Sequence, residues 1–383
     1  MRTSGLALFA ALALLSLAAG PAAAQSSPED GAQAASQDSS SLTIGGSVLE
    51  QAYSSYSGSG DFAAGGFGYG SSTTLGLNLD AKGQGARASA SLETAVLDGV
   101  AAQTAWLEIQ NGQVPTDESF VPASAPAGGP DLLVAARIRT LYVKLDEGWV
   151  SLTAGRQVVN YERGALWSPT DIFTALDLTG LSPVRLGSDA LRLTFPLGPT
   201  GAADLVAAPG TAPEQGLYSA RLSGLVLGVD GALSAARDGA ARTTYVGADF
   251  KADLEAGFYG DFSYALPDTG AAGSYRAAGG ADWSFGDFIV AAEYYYNGGG
   301  AGADPLFPDS HNLYGDLIWQ ASEFLDVSGS VIWDLSGRSG TGTILASYSV
   351  AQGATLGVYG KASWGGGAAA VGGQLGATLE VSF

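Results

Sequence analysis

Residues 373–383, "GQLGATLEVSF", alternate in polarity and stop on an aromatic. In an extended chain Leu375, Ala377, Leu379, Val381 and Phe383 share one face, while Gln374, Thr378, Glu380 and Ser382 share the other. The apolar face needs a covering, and the preceding sequence has to say what kind. The same two-residue period recurs upstream. Leu356, Val358, Ala362 and Trp364 oppose Thr355, Tyr359, Lys361 and Ser363, and Leu325, Val327, Val331 and Trp333 oppose Asp326, Ser328, Ser330 and Asp334. Phe258, Phe262, Tyr264 and Leu266 oppose Glu255, Tyr259, Asp261 and Ser263, and Leu75, Leu77 and Leu79 oppose Thr74, Asn78 and Asp80. Glycine-rich or charged turns separate these segments, so the chain reads as all-β.

Composition narrows the covering. Met1-Arg2, the apolar run "GLALFAALALLSLAAG" and then "PAAAQ" read as a signal peptide cleaved after Ala24, so residues 1–24 are expected to be removed on export. The chain has no cysteine, which excludes a lipid anchor on a leader cysteine and a disulfide scaffold. Beyond Ala24 no stretch approaches the roughly 18 uninterrupted apolar residues of a spanning helix. A membrane location therefore requires strands. The formal charge of −20 excludes nucleic acid, whose phosphates demand basic patches.

A soluble sandwich also alternates, because one face of each sheet packs and the other meets water. Three features favour a barrel in a bilayer. The segments run about 9–13 residues, the span of a tilted strand crossing a membrane, against about 5–6 in globular sheets. Tight turns ("QASEF", "WSFGDF") take turns with longer connections ("NGGGAGADPLFPDSHN", "SGRSGTG", "LPDTGAAG"). Directing each strand from its successor puts Phe250, Trp283, Phe288, Trp319 and Phe383 at one boundary. Phe262, Tyr264, Tyr294, Tyr296, Trp333 and Trp364 fall at the other. Headgroup zones select aromatic belts of this kind.

With leader, alternation and belts together, the chain resembles the Gram-negative outer-membrane β-barrel class, porin-like, whose last strand commonly ends in an aromatic, here Phe383. The resemblance implies a location in the outer membrane and contact with its lipid. It also implies that the barrel-assembly machinery reads "LGATLEVSF", with Phe383 as the signal.

Counting alternating segments gives about 19, and an even number is required when both ends lie on the periplasmic side. The weakest segment is "QTAWLEIQ" (103–110), so residues 99–131 are expected to form one long outside excursion. The fold expected is a transmembrane antiparallel up-and-down β-barrel of about 18 strands, with 16 as the alternative. Residues 25–41 read as a polar periplasmic lead-in and 42–383 as the barrel. No segment before the first strand has room for a plug domain.

A barrel this wide cannot fill its own interior, so it is open, plugged or narrowed by loops. Residues 159–189 are too apolar to stand in water and are expected to fold inward as a constriction loop. Ser168, Pro169 and Asp171 form a helix-start pattern, which predicts a short helix near 169–176, with Phe173, Leu176 and Leu178 packed on the wall. Arg137, Arg139, Arg156, Arg163, Arg185 and Arg192 concentrate around this loop. They are expected to form the basic side of the constriction, facing Glu162, Asp171 and Asp177; pairing of arginine and carboxylate to pin the loop is the structural alternative. "LTAGRQVVNYERGALWSPTDIF" (152–173) is similar to a stretch of porin-like and alginate-export-like barrels in which "GRQ" ends a strand before an inward loop. That resemblance implies that Arg156 projects into the lumen.

Elsewhere the inward phase is acidic. It includes Asp80, Glu93, Asp249, Glu255, Asp261, Asp282, Glu293, Asp316, Asp326, Asp334 and Glu380, against Arg87, Lys251, Arg276 and Lys361. A charge on the lipid side costs up to about 2–4 kcal/mol near the midplane, so this segregation is a test of register. A wet, acidic tube implies passive diffusion of small hydrophilic solutes, with cations favoured at low salt. Two other readings compete. An outer-membrane hydrolase would depend on His311, the sole histidine, beside Asp309 and Ser310, although a triad needs convergence in space rather than adjacency in sequence. A surface adhesin would work through 99–131 and 298–311, which carry few aromatics to make a sticky surface. No Cys or His cluster suggests a transition metal and no cofactor is implied; Asp304 and Asp309 are the candidates for a Ca²⁺ or Mg²⁺ contact. Periodicity leaves oligomeric state open.

Overall fold

The computed structural model describes residues 40–383 except 59–65, 111–123, 160, 162, 179, 211 and 366–370. The expected leader, and all but the end of the lead-in, lie outside the described residues. In chain order the elements begin β1 (Ser41–Gly58), β2 (Gly66–Gly83), β3 (Ala86–Asp98), helix α1 (Gly99–Gln110), β4 (Ser124–Gly128), β5 (Leu132–Asp146) and β6 (Ser151–Gln157). Then come β7 (Leu176–Asp177), β8 (Val184–Arg185), β9 (Ser188–Leu197), β10 (Gly201–Ala208), β11 (Leu217–Val226), β12 (Val229–Asp238), β13 (Thr243–Asp253) and β14 (Gly257–Pro267). The last seven are β15 (Ser274–Phe285), β16 (Phe288–Asn297), β17 (His311–Gln320), β18 (Leu325–Asp334), β19 (Ser339–Ala351), β20 (Ala354–Trp364) and β21 (Val371–Ser382).

Eighteen of these strands form a closed antiparallel barrel, each paired to the next and β21 to β1. The short β4 is an addition that lies along Leu133–Arg137 of β5, above the stretch Leu141–Asp146 that β6 occupies. The β7–β8 hairpin stands apart as a separate ladder inside the barrel. Connections at one end are tight, as at 84–85, 227–228 and 352–353, and those at the other end are longer.

Closure answers the question raised by the final strand. The Phe383 amide donates to Gly46 O at 3.0 Å and the Gly46 amide to Phe383 O at 2.9 Å. Leu375 and Phe383 stand 67% and 66% exposed on the outer wall, the surface that hydrocarbon covers. The inner phase is the opposite one: Asp261 is 4% and Glu293 1% exposed, whereas their neighbours Phe262 and Tyr294 stand outside at 45% and 41%. Aromatics stack along the outer rims, Phe285 on Phe288 and Phe288 on Trp319 at the short-turn end, Phe262 on Tyr275 and Tyr275 on Tyr296 at the other. Polar exceptions gather on the outward phase of β1–β3, where Glu50, Ser54, Ser71, Thr73 and Thr94 are neighbours and Glu50 accepts from the Thr73 hydroxyl.

Two expectations need correction. Residues 103–110 are not a doubtful strand in an outside excursion but part of α1, which turns into the barrel. Ala102, Ala105, Trp106 and Ile109 fall on its more buried side at helical spacing, while Gln103, Thr104, Leu107 and Gln110 are exposed, a period that two-residue counting misses. Gly68 and Gly70, on the inward phase of β2, make room for it: a Cβ at Gly68 would lie 2.3 Å from Val100 Cγ2, and one at Gly70 2.9 Å from Ala101 N.

The helix expected at 169–176 is absent. A single turn forms, with the Asp171 amide donating to Ser168 O at 3.0 Å, and the chain then extends into β7. The capping groups are diverted to the wall, because the Ser168 and Thr170 hydroxyls and the Thr170 amide all donate to Asp261.

Gly46 tests the seam. A Cβ there would lie 2.6 Å from Gly76 O and 2.7 Å from Phe383 Cζ. Gly46→Val is expected to push the Phe383 ring off the seam and cost roughly 1–3 kcal/mol. The folded band in unboiled gel electrophoresis should then convert to the unfolded band at a lower temperature than in the unsubstituted protein.

Candidate functional site

The site is the lumen where the segment after β6 crosses it. Gln157 ends the strand with its side-chain amide donating to Ala190 O at 3.0 Å. Val159, Tyr161 and Phe173 then pack on Ala190, Val206 and Ala208 of the inner wall. The Tyr161 hydroxyl meets Ser219 Oγ at 3.0 Å, and the Arg221 guanidinium lies 4.7 Å from the Tyr161 ring. Arg221 is itself held by Asp249 at 2.5 and 2.8 Å. Arg163 spans Asp230 at 2.6 and 2.9 Å and Asp249 at 3.1 Å.

The next turn wraps an anion. Three successive amides donate to the buried Glu293 carboxylate, Ala165 at 2.7 Å, Leu166 at 2.8 Å and Trp167 at 3.0 Å. Charge-assisted hydrogen bonds of this kind are stronger than neutral ones, so this cradle fixes the path of the loop. Trp167 stacks on Tyr295 with 5.2 Å between centroids and meets Phe307 and Tyr314 edge-on, while Leu176 and Leu178 pack against the same cluster. Arg276 donates to Pro169 O at 2.9 Å.

From these anchors on β9–β17 the β7–β8 hairpin reaches the opposite wall. Arg137 of β5 holds Glu93 of β3 at 2.7 Å and Asp177 of the hairpin at 3.3 Å, and Arg139 joins Glu93 at 3.3 Å. Lys361 of β20 donates to Gly180 O at 3.2 Å. Beside the tip a cavity of about 510 Å³ remains between Leu178, Leu181 and Pro183 and the wall at Asn312, Ile332 and Thr341. Glu108 of α1 lies within the field of Asp177; burial first, and that neighbouring carboxylate second, push its pKa up.

The residues singled out in the sequence have different fates. A bulge sets Ser91 opposite Thr140 and Leu92 opposite Ile138, so the inward phase of β5 passes from Thr140 to Arg137, and Arg139, the extra residue of the same parity, reaches Glu93 as well. Arg163, Arg185 and Arg192 lie at the loop, Arg185 donating to Leu166 O at 2.9 Å and Arg192 pairing with Asp204 at 2.9 Å. Arg156 does not project into the lumen. It is 3% exposed and held in the wall by Asp189 at 2.7 and 3.1 Å and by Ile138 O at 3.2 Å. Asp171 faces its own turn, accepting from the Phe173 and Thr174 amides at 2.9 and 3.1 Å, and burial raises its pKa. Asp177 is at the tip, and Glu162 lies outside the described residues.

Asp261, Glu293, Asp316, Asp326 and Asp334 all take the inward phase. Asp261 and Glu293 are nonetheless covered by the loop, because its amides and hydroxyls bind them. Asp334 closes a turn by accepting from the Ser336 and Gly337 amides, each at 2.9 Å. Phe173, Leu176 and Leu178 pack as expected without the helix. Arg221, Tyr161, Trp167 and Glu108 were not singled out; the inward phase of β11 and the helical period of α1 were the available signals for Arg221 and Glu108.

His311 is on the outward phase, with Nδ1 2.5 Å from the Tyr294 hydroxyl. Asp304 accepts from the Tyr295 hydroxyl at 2.9 Å and the Leu306 amide at 3.1 Å. Among the described residues no group of three or more His, Cys, Asp or Glu side chains is placed to hold a metal ion.

The family model described as Gram-negative porin matches residues 10–378. No curated protein matches the chain. Among solved structures, OccAB4 of Acinetobacter baumannii superposes with a TM-score of 0.56 at 10% identity, covering 89% of this chain and 98% of that one. OccK5 (OpdH) of Pseudomonas aeruginosa gives 0.53 at 11% identity, with coverage of 89% and 98%. OpdK of the same organism, solved with vanillate, gives 0.51 at 9% identity, with coverage of 89% and 99%. At these identities the likeness is one of fold.

Glu293→Ala tests the cradle. It strands the Ala165, Leu166 and Trp167 amides, at a cost of about 1–3 kcal/mol for each one left unsatisfied. The barrel is expected to persist in unboiled gels, while single-molecule currents across a planar bilayer rise in mean and in open-state noise. A current trace identical to that of the unsubstituted protein would show that the cradle does not hold the loop.

Proposed function

The chain belongs to the Gram-negative porin family, and from that premise we propose that its outer-membrane channel passes small hydrophilic solutes by diffusion, favours cations, and is narrowed by the loop between β6 and β9. The family and fold point to a channel without catalysis. Lipid contacts the outer wall, and solutes pass through the lumen.

One observation carries the cation preference. Arg137, Arg139, Arg156, Arg163 and Arg192 each pair with a carboxylate, so the basic zone has little free positive charge. Asp316, Asp326 and Glu380 take the inward phase with no ion-pair partner among the described residues. The wall potential is therefore negative, and anions are the disfavoured species. At the tip Glu93, Asp177, Arg137 and Arg139 form a linked set that ties the hairpin to the β3–β5 wall. The Gly46 seam leaves Phe383 at the rim, in keeping with its proposed reading by the assembly machinery.

A second copy of this chain is the further partner we propose. The outward patch of Glu50, Ser54, Ser71, Thr73 and Thr94 sets a carboxylate between the aromatic belts, where lipid offers no donor. The same patch holds hydroxyl donors, so two copies facing each other supply what each lacks.

Two measurements test these readings. In a KCl gradient across a planar bilayer, the reversal potential is expected to give a cation-to-anion permeability ratio above one, declining toward one near 1 M salt, where the screening length is about 3 Å. Clear anion preference would remove the selectivity. Light scattering in mild detergent is expected to show an oligomer that Glu50→Leu dissociates, and a monomeric unsubstituted protein would remove the proposed self-association.

A further inference from the structure

We propose that α1 is a second jaw of the constriction, opposed to the β7–β8 hairpin, and that Glu108 in its last turn is a specificity-determining residue for small cations. The inference rests on the channel reading above, and deepens it.

The placement comes from the wall. Gly68 and Gly70 stand on the inward phase of β2 and are covered by Val100 and Ala101, so the helix lies against the inner surface. Ala102 is fully buried, and Leu133, on the inward phase of β5, is 1% exposed. Four residues further along β5, Arg137 reaches Asp177 of the hairpin. The helix and the hairpin tip thus both stand over the inner face of β5, near enough for Asp177 to act on Glu108, and the passage runs beside both.

Charge at that point is nearly balanced. Glu93 and Asp177 face Arg137 and Arg139, and Lys361 closes on the tip from β20. Glu108 is the carboxylate there with no hydrogen bond or ion pair among the described residues.

Stability gives no reason for it. The last turn of α1 contains no basic residue, its free carbonyls already present partial negative charge, and Asp177 adds repulsion. A carboxylate with no hydrogen bond or ion pair among the described residues, beside the passage, keeps its charge available to cations in that water. Replacing it by a neutral side chain leaves the two arginines and Lys361 against Glu93 and Asp177, which takes the set from balanced to net positive.

The experiment uses the full chain in planar bilayers, with folding checked in unboiled gels. Glu108→Gln is expected to lower the cation-to-anion permeability ratio at least about twofold, the screened effect of a unit charge beside an ion path. Because the chain contains no cysteine, Glu108→Cys gives a second readout that does not depend on the first. A cationic thiosulfonate reagent is expected to reduce its single-channel current in one step and to leave the unsubstituted protein unaffected.

An unchanged ratio in Glu108→Gln, or a current that the reagent does not alter in Glu108→Cys, overturns the inference. If the unsubstituted protein itself prefers anions, the cation-favouring reading fails. A further shift toward anions in Glu108→Gln would in that case still support the jaw.

Discussion

Hydrocarbon offers no hydrogen-bond partner to a peptide group, and the architecture follows from that constraint. Every spanning segment must satisfy its N–H and C=O groups against a neighbour, which leaves a closed ladder as the solution for a chain whose apolar residues recur every second position. The pairing of β21 with β1 turns a sheet with two raw edges into a wall with none. Inside and outside then become different solvents. Carboxylates and arginines that hydrocarbon would exclude are admitted on the inner phase, and the inner phase is where the loop finds its partners.

The loop is held by the means the wall makes available. Its apolar residues occupy two inner clusters, one around Tyr161 and Phe173 and one around Trp167 and Tyr295. Between these, buried carboxylates of β14 and β16 take up its unpaired amides and hydroxyls. Acidic wall positions and loop geometry are therefore one feature. Asp261 and Glu293 are acidic because an extended loop must have its N–H groups satisfied, and they are hidden because it covers them.

The wall was legible in the sequence because period-two alternation is a property of single strands. The phases of β14, β16–β18, β20 and β21 followed from counting alone, and the aromatic rims followed with them. The β5 bulge was not legible: Arg137 and Arg139 share parity in any case, but the extra residue that lets Thr140 face inward as well depends on pairing with β3. Arg156 shows the same limit. Its resemblance-based place in the lumen gave way to Asp189, a partner 33 residues away. The cap pattern at Ser168 points to a helix start, yet Asp261, 91 to 93 residues on, takes the Ser168 and Thr170 groups and no helix forms. The helix at 99–110 is invisible to a two-residue period, because Ala102, Ala105, Trp106 and Ile109 recur at helical spacing.

The Glu293 cradle joins amides at 165–167 to a carboxylate 126 to 128 positions later in the chain. Contacts of such separation come slowly, since the intervening polypeptide must be ordered before the attraction repays its entropy. The strands that seat its first half, β9 to β17, are all synthesised after it. The inner segment therefore has no seat until most of the cylinder exists, and it waits unsatisfied while the wall is threaded around it. Its docking belongs to the final stages of maturation, so the bore is wide first and narrow afterwards.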